Sequence, residues 1–290
     1  MNEVKIKGLD EKAVLVQLKR RMYSPNLLDA EATEDYAVGN VNKHLFEGRN
    51  NRVKEAMSKY TEVYTFVKDN TVPWSKGIDM LNILHYYEFS QGLRERIEVA
   101  NQAVDDLVAN WDSEVRKDLM RIQAKCAAKG IPDKSNPADY PTAQQVADRF
   151  GVEVRYLPVP TAGDFRVAIS EEDKASLQKQ LDDAEKNAAS HVLTSMLDPM
   201  RKAVEKLSVE IGKEGAIFRD SLIDNMVEVA ERMTRVNISD DPRVQERIND
   251  LRSLLGTYAN NKDMLRTSQV VREKAASQLD ELMNKMAGLV

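Results

Sequence analysis

The chain has 290 residues, of which 31% are charged and only 6% aromatic, and Ala, Leu, Glu, Lys, Met and Gln are common. That make-up belongs to long amphipathic helices and excludes a sandwich or barrel as the main architecture. A formal charge of -5 argues against a surface that grips nucleic acid or an anionic membrane over its whole extent, because such surfaces carry net positive charge, and leaves a local basic patch open.

Ala13 to Tyr23 (AVLVQLKRRMY) carries β-branched residues in partial alternation before the SPN break and predicts a strand. Asp29 to about Asn42 is weakly helical in pattern, and Phe46 to Asn51 interrupts it. Val53, Met57, Tyr60, Tyr64 and Val67 then recur at helical spacing. The helix they predict stops before Asp69 to Gly77, where Pro73 and Gly77 predict a turn.

From Tyr86 to Cys126, the residues Phe89, Leu93, Ile97, Ala100, Val104, Leu107, Trp111, Val115, Leu119 and Ile122 share one helical face. They predict a single helix of about 41 residues, on the order of 60 Å long, with Gly92 as its weak spot. A second stripe runs from Leu177 to Ile211, with Ser170 placed to cap it and Pro199 to kink it. Two helices of matching length predict an antiparallel hairpin whose stripes bury each other.

The insert between them holds a polar loop, a short helix near Thr142 to Phe150, and strands at Val152 to Leu157 and Phe165 to Ile169. Local pairing of these strands is preferred to pairing with the strand near Ala13. Three further helical segments follow, at about Ile217 to Val236, Pro242 to Asn260 and Lys262 to Met286. The expected fold is mainly α: an N-terminal strand and helices over 1–77, a long antiparallel helical hairpin over 78–216 with a small α/β tip insertion at 127–170, and a C-terminal helical segment over 217–290.

Motifs for phosphate loops, dinucleotide binding and zinc are missing from the sequence. His44, His85 and His191 lie far apart, and the pairs Asp105–Asp106 and Asp182–Asp183 diverge by about 100° on a helix, so neither pair faces one ligand. Asp240 and Asp241 sit where a helix cap is expected. Cys126 is the only cysteine, which permits no intramolecular disulfide and suits a reducing cytoplasm. No catalytic, cofactor or metal site is predicted. No apolar run approaches the roughly 20 residues of a membrane span.

Two groups are candidates for binding. Lys19, Arg20, Arg21, Lys43, Arg49 and Arg52 form a candidate phosphate-contacting patch, with Tyr23 or Phe46 for base stacking. The alternative for these residues is an ordinary solvated charged surface. Trp74 is a candidate partner anchor, against a plug between helices, and Tyr156, Pro158, Pro160 and Phe165 are the candidate recognition surface of the tip.

Taken together, NTVPW (Asn70 to Trp74), LHYYEF (Leu84 to Phe89), DYPTAQQVADRFGVEVRYLPVPTAGDFRV (Asp139 to Val167), FRDSLIDNM (Phe218 to Met226) and NISDDPRV (Asn237 to Val244) resemble a family of helical proteins of tailed bacteriophages and related mobile elements, which has no established activity. The resemblance spans about Asn70 to Leu255 and implies a phage origin and a host-cytoplasm location. It supplies no catalytic residue. The expected function is that of a non-enzymatic homo-oligomer that supports phage DNA metabolism by weak or single-stranded nucleic-acid binding. The alternative is a protein–protein scaffold or adaptor on a phage or host machine, including one that inhibits a host defence factor.

Overall fold

The computed structural model describes residues 8–29, 33–34, 39–48, 51–160, 220–238, 242–260 and 262–287, together with isolated positions between 172 and 205. The chain is mainly helical, with a small sheet of strand order β4-β5-β1-β6. Its strands are β1 (Ala13–Arg21), β4 (Val72–Ser75), β5 (Ile78–Asn82) and β6 (Gly151–Leu157). Two compact units are formed, each from segments distant in sequence: one from 1–17, 68–87 and 155 onward, the other from 18–67 and 88–154.

In the first unit, β5 pairs antiparallel with both β1 and β4. Residues 69–77, expected to be a turn, instead supply a whole strand of this hairpin. Pro73 reads as a breaker in sequence, but β4 is an edge strand, where a missing N–H costs nothing on the open side. The turn itself is confined to Lys76 and Gly77, and Gly77 adopts φ 78, a left-handed conformation that glycine enters freely.

Leu15, Val72 and Met80 of these strands belong to one core with α6 (Asp220–Val236), α7 (Pro242–Ala259), α8 (Lys262–Thr267) and α9 (Gln269–Ala287). Helix α6 contributes Ile223, Met226, Ala230 and Met233, and α7 contributes Val244, Ile248, Leu251 and Leu255, both at spacings of three and four. Pro242 opens α7 at the first helical position, as expected from the sequence. The last expected helix is two, because Ser268 intervenes and its hydroxyl accepts the Val271 N–H at 3.4 Å. Arg232 of α6 donates to the carbonyls of Lys68 (2.7 Å) and Asp69 (3.2 Å) near the end of α2 (Arg52–Asn70).

In the second unit, α2 buries Val53, Ala56, Tyr60, Val63 and Val67. It runs against α3 (Tyr86–Ala109), where Phe66 stacks on Phe89 at 5.6 Å and the Tyr60 hydroxyl donates to Asn101 at 2.8 Å. Gly92 explains the close approach: a Cβ there would stand 2.9 Å from the Phe66 ring. At the start of β6, Gly151 leaves the same kind of room for the Arg21 guanidinium, which a Cβ would meet at 2.8 Å. Two short strands, β2 (Asn26–Leu28) and β3 (Asn42–His44), form a separate antiparallel pair.

The expected single helix from Tyr86 to Cys126 is two helices, α3 and α4 (Trp111–Lys129), separated at Asn110. Asn110 leaves the helical region (φ -111, ψ 13), and its side-chain amide donates to the Asp106 carbonyl at 2.8 Å. Such local side-chain bonds compete with helix continuation. After the break the buried face of α4 is Trp111, Glu114, Asp118 and Cys126 rather than Val115, Leu119 and Ile122, which are only half-buried. The second stripe, Leu177 to Ile211, falls outside the described residues apart from isolated helical positions, as does the strand at 165–169. Strand β6 lies beside β1, so it takes the N-terminal strand as a neighbour. A short helix, α5 (Ala143–Ala147), precedes β6 and is closed by a full capping box between Thr142 and Gln145.

The first core gives a direct stability test. Ile248 is fully buried, and Ile248→Ala is expected to cost about 2–5 kcal/mol in denaturant unfolding, the range for emptying a well-filled apolar site.

Candidate functional site

The second unit holds two buried carboxylates one helical turn apart on α4. Asp118 is 4% exposed, and three groups converge on it: the Phe46 backbone N–H (2.9 Å), the Tyr140 hydroxyl (2.8 Å) and Arg121 Nε (2.6 Å). Glu114, 3% exposed, accepts from Arg52 Nη1 at 2.9 Å and Lys117 Nζ at 2.8 Å. Phe46 is held at φ 55, an uncommon conformation for a residue with a side chain, which costs on the order of 1–3 kcal/mol. Its ring packs on Trp111 (5.3 Å) and Tyr140 (5.5 Å), Tyr23 meets Trp111 edge-on, and the Trp111 indole donates to the Pro141 carbonyl at 2.8 Å.

Burial and the bond to Asp118 push the Tyr140 hydroxyl well above the usual tyrosine range. Burial pushes the Glu114 carboxyl up, but the hydrogen bonds and charges of Lys117 and Arg52 outweigh it, so Glu114 titrates below its ordinary 4.5. Sequence reading missed both carboxylates. Their signal was present: Glu114 and Asp118 lie four apart, and each is followed three residues later by a cation, Lys117 or Arg121.

Three of the six residues of the candidate phosphate patch, Arg20, Lys43 and Arg52, are engaged by partners within the protein. Arg20 donates to the Tyr60 carbonyl (3.2 Å) and lies 5.0 Å over the Tyr64 ring. Lys43 pairs with Asp139 and donates to the Lys134 carbonyl, and Arg52 bridges Asp106 and Glu114. Lys19 and Arg21 are exposed, with the Arg21 guanidinium beside Gly151, and Arg49 lies outside the described residues. Tyr23 and Phe46 are both buried in the aromatic cluster, which corrects the expectation that either is open to a stacking base. An open depression of about 520 Å³ beside Arg52 is lined by Arg52, Lys54 and Lys117, but equally by Glu55, Asp106 and Glu114. An anion there meets as many carboxylates as cations.

The candidate partner residues fare differently. Trp74 is half-buried against the core of the first unit. Tyr156, Pro158 and Pro160 are exposed, while Val159 between the prolines is buried in that core and anchors the segment; Phe165 lies outside the described residues. The Tyr156 ring meets Tyr86 edge-on at 5.2 Å. This contact sets Tyr156 beside the start of α3, which follows the turn Ile83–His85; Leu84 of the turn is 84% and Tyr87 of α3 74% exposed. The turn is fixed from beneath: Asn82, itself buried, accepts the Leu84 N–H at 3.0 Å and donates to the Asn237 carbonyl at 2.7 Å. Two large exposed side chains, Leu84 and Tyr87, thus flank a backbone held by hydrogen bonds on the first unit.

Among the described residues, no group of three or more His, Cys, Asp or Glu is placed to hold a metal ion. His44 Nδ1 lies 2.6 Å from the Asn26 side-chain oxygen, and Cys126 is a buried free thiol. Among the same residues, no helix is long and apolar enough to cross a membrane. Comparison with known protein families, with curated proteins and with solved structures gives no match for this chain.

Asp118→Ala removes the acceptor for three donors at once, and equilibrium unfolding is expected to show a loss of roughly 3–5 kcal/mol, as for breaking other buried charge pairs. The pH dependence has a definite sign. Because the folded Glu114 pKa is depressed, its contribution is fully present above pH 4.5 and is lost as pH falls through the lower folded value. The melting midpoint of the native chain is therefore expected to fall on acidification below that pH, and in Glu114→Gln the fall is expected to be shallower; parallel acid limbs would contradict the assignment.

Proposed function

We propose that this is a non-enzymatic protein that works by holding another protein against the exposed side chains of Leu84 and Tyr87. The observation that carries the reading is the exposure of Leu84 and Tyr87 on a turn whose backbone is fixed by buried Asn82. Tyrosine and large apolar side chains on a preorganised surface are what protein interfaces concentrate at their centres. The nucleic-acid reading draws less support, since Arg20, Lys43 and Arg52 are engaged internally and Tyr23 and Phe46 are buried. On the resemblance to phage proteins, the protein would act as a scaffold or adaptor among phage or host components in the host cytoplasm.

A photo-crosslinking residue in place of Tyr87 tests this in living bacteria. Discrete protein adducts are expected, and Leu84→Asp in the same chain is expected to remove them. If no protein adduct forms and the purified chain instead retains labelled single-stranded DNA in a salt-sensitive manner, the reading is wrong and the nucleic-acid function takes its place.

A further inference from the structure

We infer that Asn42–Glu47, together with the β2 strand paired to it, is a strap that opens and recloses as one unit over Trp111 while α2 and α4 stay folded. The strap stands independently of the protein-binding reading. Among the described residues from Ser24 to Gly48, only Leu45 and Phe46 are buried. The strands β2 and β3 meet through three residue pairs, Asn26–His44, Leu27–Lys43 and Leu28–Asn42, and five of these six residues are exposed. An isolated two-stranded ladder is marginal in water, so the strap is held shut by its contacts with the structure beneath it. Helix α2, by contrast, buries Val53, Ala56, Tyr60, Val63 and Val67 along its length. A segment with few buried apolar contacts opens at a lower free energy than the core it lies on.

The contacts that hold the strap converge on Phe46. Its ring packs on Trp111 and Tyr140, its N–H reaches buried Asp118, and its carbonyl accepts Asn51 Nδ2 at 2.8 Å. Phe46 is also the one non-glycine residue at positive φ among the described residues. Strain of this kind gathers at clamps and switch regions, where the closed state has to hold it. Opening relaxes that strain. It also admits water to Asp118, whose bonds from Tyr140 and Arg121 come from outside the strap and survive. The remaining ties are polar and partly exposed: Lys43 to Asp139 and the Lys134 carbonyl, and Glu47 to Arg121 and Lys125. Water replaces such ties at small cost. Opening uncovers the parts of Trp111 and Tyr140 that Phe46 covers, with the Asp118 carboxylate beside Tyr140.

Native-state hydrogen exchange of the full chain tests the strap. The reporters are the amides of Leu45 and Phe46, which are bonded to the Pro25 carbonyl and to Asp118. Corrected for intrinsic rates, both are expected to exchange at least ~100-fold faster than the amides of Tyr60 and Val63 in α2, and with a much shallower dependence on denaturant, because opening exposes little surface. Lys43→Met removes one partly exposed tie from β3 and is expected to speed both reporters equally, by roughly 2–5-fold, the effect of losing one such ion pair. If Leu45 and Phe46 exchange at the rate and denaturant slope of α2, the strap opens only when the whole unit unfolds, and the inference is overturned. A Phe46 rate that Lys43→Met leaves unchanged shows that Phe46 moves without β3, and overturns it as well.

Discussion

The Asp118 carboxylate is the constraint around which the second unit closes. It is too buried to be solvated, so its charge must be met by protein groups, and the groups that meet it come from three places in the chain. Arg121 lies on its own helix, Tyr140 follows the polar loop after α4, and the Phe46 N–H arrives from the segment before α2. The last two donors each fix a segment that has little regular structure of its own. The left-handed conformation at Phe46 follows: the backbone accepts local strain because it aims one N–H at a buried anion and one ring at Trp111. Glu114 does the same for Arg52, and Glu47 extends the network by accepting from Arg121 at 3.1 Å and Lys125 at 2.9 Å.

This arrangement has a functional consequence. Cations that satisfy buried carboxylates are poor ligands for phosphate, since drawing them away would leave an unpaired charge in the interior. Arg52 is better understood as part of this internal network than as part of a surface for a polyanion. The first unit shows the opposite economy. There the buried polar side chain of Asn82 holds the turn through one accepted and one donated hydrogen bond, and Leu84 and Tyr87 are left exposed. Fixing the backbone beforehand lowers the entropy that would be lost on binding at such a turn.

Local chemistry was legible wherever it depends on near neighbours in the chain. The strand at Ala13, the helix from Val53 to Val67, the start of α7 at Pro242 and the strand at Val152 all follow from spacing and capping. The exposed positions Tyr156, Pro158 and Pro160 were also legible, because a proline-flanked strand end cannot continue into a ladder. The hairpin of β4 and β5 was not, since Pro73 is compatible with a strand only when that strand lies at an edge. Nor was the break at Asn110, where the apolar stripe continues unbroken in sequence; there the Asn110 backbone leaves the helical region and the Trp111 indole is seated on the Pro141 carbonyl.

The sequence by itself determined the mainly helical class, most of the helices found among the described residues with the strands β1 and β6, and a composition that leaves large carboxylate and cation populations to be paired. Those properties are local or additive, so periodicity and residue type suffice to read them. Only the tertiary structure decided which charges pair, which of Val115 or Glu114 faces inward, and that Leu84 and Tyr87 remain outside while Tyr23 and Phe46 are enclosed. The physical reason is that burial and pairing are properties of groups brought together from distant segments, as Asp118 with Phe46 and Asn82 with Asn237 show. No periodicity within one segment encodes them.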